Sequence, residues 1–108
     1  MVFFSPYNGG GIASCFNSTL SGAAATNPPC GFNYYLFGVG DYMIDFGFQV
    51  DDRFFAATTT SLEWTINVCT DSIGVTCGHS TLPNQVEVAE FYPVSNSYAD
   101  AKFYLGVY

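Results

Sequence analysis

Tyr42, Ile44, Phe46, Phe48 and Val50 occupy every second position within the stretch Gly40 to Phe55. Asp41, Met43, Asp45, Gly47 and Gln49 sit between them. A period of two sends alternate side chains to opposite faces of a β-strand. One face is therefore large and apolar and needs a surface to pack against. The other face, with its carboxylates and glutamine, is expected to meet water or a polar partner. The rest of the chain must supply the packing surface, so this run points to a β-rich fold.

Further strand signals follow along the chain. Met1 to Phe4 is a short apolar run ended by Pro6, which reads as an edge strand. Asn8-Gly9-Gly10-Gly11 is a turn, and Ile12 to Phe16 alternates after it, so the two runs form a hairpin. Asn17 to Gly31 is a polar loop, in which Ala23-Ala24-Ala25 is too short to hold a helix by itself. Phe32 to Val39 and Arg53 to Thr60 flank the central strand. Leu62, Trp64, Ile66 and Val68 alternate with Glu63, Thr65 and Asn67. Val86 and Val88 alternate with Gln85, Glu87 and Ala89, and Phe103, Leu105 and Val107 alternate at the end. Cys69 to Pro83 and Tyr92 to Ala101 read as loops.

Seven or eight short strands with turn signals between them predict an all-β, antiparallel β-sandwich or jelly-roll-like domain. With 108 residues, one domain over 1–108 is expected. A chain of this size buries roughly two-thirds of its unfolded surface, enough for one core. The chain starts and stops almost within strands, and Met1-Val-Phe-Phe lacks the basic start of a secretory leader. We therefore expect a module of a longer chain.

Charge excludes some partners. The net charge is −7, with Arg53 and Lys102 as the permanent cations. Phosphate recognition needs clustered Lys and Arg, so nucleic acid is not an expected partner. Anionic lipid is disfavoured for the same reason. No apolar run approaches the ~20 residues of a membrane span, so membrane insertion is not expected either.

Four cysteines in a short chain point to disulfides and an oxidising, extracellular location. Three pairings are possible. Cys15–Cys30 and Cys69–Cys77 are favoured because each closes a local loop between strand-like runs. Zinc ligation fails on spacing: there is no Cys-x2-Cys pair, and His79 stands alone in the sequence. Asp51-Asp52, with Asp41 and Asp45 upstream, offers carboxylates for Ca²⁺ but no EF-hand loop. Pairing of Asp52 with Arg53 and hydration of Asp45 account for these residues, so neither metal nor cofactor is expected. Asn17-Ser18-Thr19 is a glycosylation sequon that also reads as a plain polar turn.

Cys77-Gly78-His79-Ser80 is where nucleophile-like and base-like residues cluster. Adjacent loop residues rarely reach the geometry of a nucleophile, its base and an orienting group, and no Gly-x-Ser-x-Gly elbow is present. Paired carboxylates for glycoside hydrolysis need a cleft that a domain of this size seldom holds. No enzymatic activity is expected.

Aromatic residues make up 19% of the chain, an excess for a small monomer. Tyr35, Phe37, Phe55, Tyr104 and Tyr108 fall opposite the nominal core residues of their strands. They are candidates for self-association, giving a homo-oligomer or larger assembly. A glycan platform is the alternative, with Tyr92 and Tyr98 for stacking and Asn96 and Asp100 as polar partners.

One resemblance runs over most of the chain. Gly38-Val39-Gly40-Asp41-Tyr42-Met43-Ile44-Asp45-Phe46, then Asp52-Arg53-Phe54-Phe55-Ala56-Ala57-Thr58, then Gln85-Val86-Glu87-Val88-Ala89-Glu90-Phe91 and Asp100-Ala101-Lys102-Phe103-Tyr104-Leu105-Gly106-Val107-Tyr108 resemble small β-modules. Such modules occur in bacterial secreted and collagen-like surface proteins and in phage tail fibres. The resemblance implies an exposed β-sandwich head or building block, sometimes oligomeric, and carries over no catalytic residue.

Overall fold

The structure is a computed structural model that describes residues 1–5, 11–71 and 77–108, apart from the side chain of Phe3. The expected turn at Asn8-Gly9-Gly10 lies outside the described residues, as does the middle of the Cys69–Cys77 loop. The strands are β1 (Val2–Ser5), β2 (Gly11–Cys15), β3 (Asn33–Gly38), β4 (Asp41–Asp45), β5 (Phe55–Thr59), β6 (Thr65–Cys69), β7 (Gln85–Tyr92), β8 (Ser97–Tyr98) and β9 (Phe103–Val107). They form an antiparallel four-stranded sheet, β2-β1-β9-β5, and an antiparallel five-stranded sheet, β3-β4-β7-β6 with β8 paired to β7. The arrangement is a two-sheet sandwich, the predicted class. A 3-10 turn at Gly22–Ala25 buries Ala25, and among the described residues no helix is long and apolar enough to cross a membrane.

The core lies between the inner faces. Val2, Phe4, Phe103 and Leu105 come from one sheet and Tyr42, Ile44, Val86 and Val88 from the other, all buried. Burial of each such side chain contributes about 1.5–3 kcal/mol. Phe4 links the sheets: its ring centroid lies 4.8 Å from that of Tyr42 and 5.2 Å from that of Phe103. Phe32, Phe46 and Val50 extend this core, with Phe46 edge-on to Phe32 at 5.1 Å.

The central run is shorter as a strand than its alternation predicts. Asp45 ends β4, because Gly47 takes φ +77° and its N–H is caught by Asp45 Oδ1 at 2.9 Å. Phe46 and Val50 still reach the core, because their N–H groups bond to Asn84 and Pro83 carbonyls rather than to a strand. Phe48 is only half-buried. Met43 departs from the expected polar face: it is 3% exposed, although it alternates with the core residues. The Leu62–Val68 run is also corrected. Glu63 takes φ +66°, so the strand starts at Thr65, and Leu62 is 89% exposed. Ile66 and Val68 alone carry that alternation into the core.

Both disulfides are the local pairs, Cys15–Cys30 and Cys69–Cys77, with Cα separations of 6.2 and 5.7 Å. They fit an oxidising compartment. The sequon residue Asn17 is 5% exposed. Its Nδ2, the atom that would carry a glycan, donates to the Cys30 carbonyl at 2.8 Å, and its Oδ1 accepts from the Thr19 backbone and hydroxyl. Asn17 is a loop clasp.

Two outcomes follow for stability, each measured by urea denaturation. Phe46→Ala should cost about 3–5 kcal/mol, the range for a large buried aromatic; a loss under about 1 kcal/mol would place Phe46 outside the core. Asn17→Asp places an acceptor against the Cys30 carbonyl and should cost about 1–3 kcal/mol.

Candidate functional site

The outer face of the five-stranded sheet gathers three ionisable residues from distant parts of the chain. Asp41 on β4 pairs in register with Ala89, and Met43 with Glu87 on β7. Asp41 and Glu87 are therefore diagonal neighbours on one face, within reach of each other. Cys69 on β6 lies opposite Glu87 on the other side of β7. The Cys69–Cys77 disulfide anchors the following loop there, and His79, two residues on, lands over Glu87.

The contacts are close. His79 Nδ1 lies 2.7 Å from Glu87 Oε2 and 3.4 Å from Asp41 Oδ2. The His79 backbone N–H donates to Glu87 Oε1 at 3.1 Å. Phe37 stacks on the imidazole, centroids 3.9 Å apart and planes 10° from parallel. Glu87 is completely buried, whereas His79 stays 42% exposed, so the cluster has a closed floor and an open rim.

Charge follows this burial. Desolvation pushes the Asp41 carboxyl up to about 7, helped by the hydrogen bond and negative charge of Glu87 and opposed by His79. Burial also opposes ionisation of Glu87, but hydrogen bonds from Asp41, the His79 ring and the His79 amide, with the His79 charge, outweigh it. The Glu87 pKa therefore lies below its ordinary value. The hydrogen bond to Glu87 raises the His79 pKa; desolvation opposes this, and the charges of Glu87 and Asp41 add to it. At neutral pH Glu87 is the anion, His79 its partner, and Asp41 holds a proton part of the time. Asp41 Oδ1 is buried and has no hydrogen-bond partner.

A second carboxylate, Glu90, points the other way, into the sandwich. It is 0% exposed, and neither oxygen has a hydrogen-bond partner. Burial pushes it up to about 7, and Thr59, the polar side chain facing it, pulls it down only in part.

The cluster can hold a proton between its carboxylates or a cation among its oxygens and imidazole. Among the described residues it is the group of His, Cys, Asp and Glu side chains close enough to hold a metal ion, its donor atoms all within 4.8 Å of one another. His79 remains the one histidine of the chain, and its two carboxylate neighbours come from other segments, β4 and β7. The cysteines take no part, because none is free among the described residues. Two of the carboxylates first considered for Ca²⁺ are otherwise engaged. Asp45 accepts from Gly47 and Asn84, and Asp51 accepts from Gln49. Arg53 donates to the Gln49 carbonyl and lies over the Phe48 ring.

The remaining candidates are scattered. Tyr92 stacks on Trp64 at 5.0 Å, whereas Tyr98 meets Phe91 edge-on at 5.5 Å. Phe91 and Tyr92 are consecutive in β7 and face opposite sides, so Tyr92 and Tyr98 do not share a platform. Asp100 accepts from the Tyr42 hydroxyl at 2.6 Å and from the Gly40 N–H at 2.8 Å. Asn96 is exposed in the turn with φ +54°. Tyr35, Phe37, Tyr104 and Tyr108 remain substantially exposed at 50, 42, 46 and 68%. Phe55 does not join them: in register with Val107, two positions from the Ala57–Leu105 pair, it lies on the inner face against the core. A cavity of about 320 Å³ opens at one end of the sandwich, lined by Phe16, Phe46, Phe48, Arg53 and Tyr108 among others.

Sequence reasoning missed the burial of Glu87 and Glu90 and the meeting of Asp41 with His79. The available signal was the shared parity of Asp41 and Glu87, combined with a disulfide that returns the His79 loop to β6. No protein-family model, curated protein or solved structure matches the chain.

The pH dependence of stability follows with a definite sign. The folded pKa of Glu90 lies above its ordinary 4.5, so its contribution is full below about pH 4.5 and is lost as pH rises through about 7. Asp41 acts in the same direction from 3.8 upward, and His79 from 6.5 upward. Glu87 is opposite, its contribution being lost only as pH falls below 4.5. The melting temperature should therefore fall between about pH 5 and pH 8. Glu90→Gln should remove roughly 2–3 kcal/mol of that loss. An unchanged pH profile in this variant would show that Glu90 is not the buried acid responsible.

Proposed function

We propose that this chain is a non-enzymatic, extracellular assembly module that self-associates through the β3 edge of its five-stranded sheet. The observation that carries this reading is β3 itself. Among the described residues it ends the sheet, its six residues Asn33–Gly38 contain neither charge nor proline, and Tyr35, Leu36 and Phe37 are 50, 54 and 42% exposed. A strand at a sheet edge offers a row of backbone donors and acceptors to a further strand. Soluble monomers usually blunt such an edge with Lys, Pro or a bulge. Here, among the described residues, an irregularity between Leu36 and Gly38 is the one such feature, at the end of the strand.

The partner we assign is a second copy. Antiparallel pairing of β3 with β3 about a two-fold axis is self-complementary, and an uncharged strand meets its own copy without repulsion at the contact. The carboxylates nearest the joint, Asp41 and Asp45, lie one strand in, on β4. Tyr104 faces outward on the opposite sheet, so a second contact can extend a pair into a longer assembly. The two disulfides suit a secreted location, and the resemblance to surface and fibre modules points the same way. Glycan capture by the Tyr92–Asp100 segment draws less support, because its two tyrosines face opposite sides.

Light scattering coupled to size exclusion over a dilution series tests this. The mass should exceed the 11.7 kDa of one chain at high concentration. Tyr35→Lys should weaken association at least about tenfold, equivalent to ~1.4 kcal/mol, while Tyr104→Lys should leave the basic pair intact. A wild-type monomer at every concentration would overturn the proposal.

A further inference from the structure

We propose that Asp41, His79 and Glu87 form a binding site for one divalent first-row transition ion, of which Zn²⁺ is the probe of choice. One imidazole nitrogen and two carboxylate oxygens suit Zn²⁺ and its neighbours, whereas Ca²⁺ and Mg²⁺ take shells made of oxygen. All four cysteines are in disulfides, so no thiolate competes for the ion.

Four-coordinate Zn²⁺ with bonds of about 2.0–2.2 Å puts neighbouring donors roughly 3.3–3.5 Å apart. His79 Nδ1 and Asp41 Oδ2 already stand at 3.4 Å. His79 Nδ1 and Glu87 Oε2, at 2.7 Å, need to open by roughly 0.6–0.8 Å as the hydrogen bond gives way to two metal bonds. The proton on Nδ1 leaves to solvent, and the imidazole lone pair then faces the ion.

The surroundings are built rather than incidental. Glu87 is completely buried, and a buried carboxylate needs a compensating partner. Asp41 Oδ1 is buried and unpartnered, so the Asp41 carboxylate has unused acceptor capacity at the site. Two adjacent strands hold the carboxylates, a disulfide-anchored loop holds the imidazole, and the Phe37 ring sets its plane. Supporting contacts of this kind keep metal ligands in one orientation. The exposed rim, with His79 at 42% and Asp41 at 20%, leaves an entry path and room for water or a further ligand.

Isothermal titration and thermal unfolding with Zn²⁺ test the assignment on the oxidised chain. One Zn²⁺ per chain should bind, with proton release that varies with buffer, and should raise the melting temperature; Ca²⁺ and Mg²⁺ at equal concentration should not. His79→Ala and Asp41→Asn, both at the accessible rim, should each weaken binding at least tenfold while the variants remain folded. Co²⁺ substituted into the site should give the visible bands of a four- or five-coordinate N/O site. No saturable binding would overturn the proposal. So would full binding in Asp41→Asn with loss only in His79→Ala, which reports a lone surface imidazole.

Discussion

The structure depends on a close approach at Gly40. Its backbone sits against Ala99 and Glu90 so tightly that a Cβ would lie 2.7 Å from the Ala99 nitrogen, the Ala99 oxygen and the Glu90 oxygen. Gly40 also takes φ +72°, a conformation that side chains strongly disfavour. Around it, Asp100 accepts from the Gly40 N–H and the Tyr42 hydroxyl, and the Glu90 N–H donates to the Gly40 carbonyl at 2.7 Å. One junction therefore ties the β3–β4 turn, the strand β7 and the segment entering β9. Tyr42 is driven into the core by its ring and kept there by satisfaction of its hydroxyl. Burial, then the hydrogen bond and charge of Asp100, push its phenol far up. Asp41 is the next residue after Gly40, so the same junction sets where the cluster on the outer face begins.

The two buried glutamates of β7 show how environment divides like residues. Glu87 faces outward and Glu90 inward, an odd number of positions apart on the same strand. Glu87 has an imidazole, a backbone amide and a second carboxyl around it, so its charge is retained. Glu90 has no hydrogen-bond partner and is pushed towards the neutral form. A neutral acid inside a sandwich costs less than an ion, yet its polar atoms still lack the bonds that water would supply. The fold tolerates this because apolar rings and aliphatic side chains from both sheets supply the opposing term.

The outer face of the five-stranded sheet is divided in turn. At one end the disulfide-anchored loop brings His79 onto Glu87. Along β3, the same sheet leaves tyrosine and phenylalanine open. Phe37 belongs to both, with one ring face on His79 and much of its surface exposed. Metal capture and edge association would thus meet at one residue, and a change at either would reach the other through the packing of that ring.

Much of the fold was legible from local pattern. Alternation at Tyr42, Ile44, Val86, Val88, Phe103 and Leu105 marked the inner faces, because a period of two depends only on neighbouring residues. Both disulfides followed from cysteines close in sequence. What the pattern hid came from contacts between distant segments. Glu87 looked like a solvent-facing residue because its burial depends on a loop anchored through Cys69. Met43 was misplaced for the same reason, since strand parity says which face a side chain takes but not what covers it; Phe55 was assigned to the wrong face, because its register with Val107 turns it inward. The sequence by itself determined a disulfide-bonded, two-faced β architecture, since hydrophobic periodicity and turn chemistry act over a few residues. Only the tertiary structure decided that Asp41, His79 and Glu87 meet, because that meeting requires a strand register, a loop return and a desolvated floor, and none of these is written in any single stretch of chain.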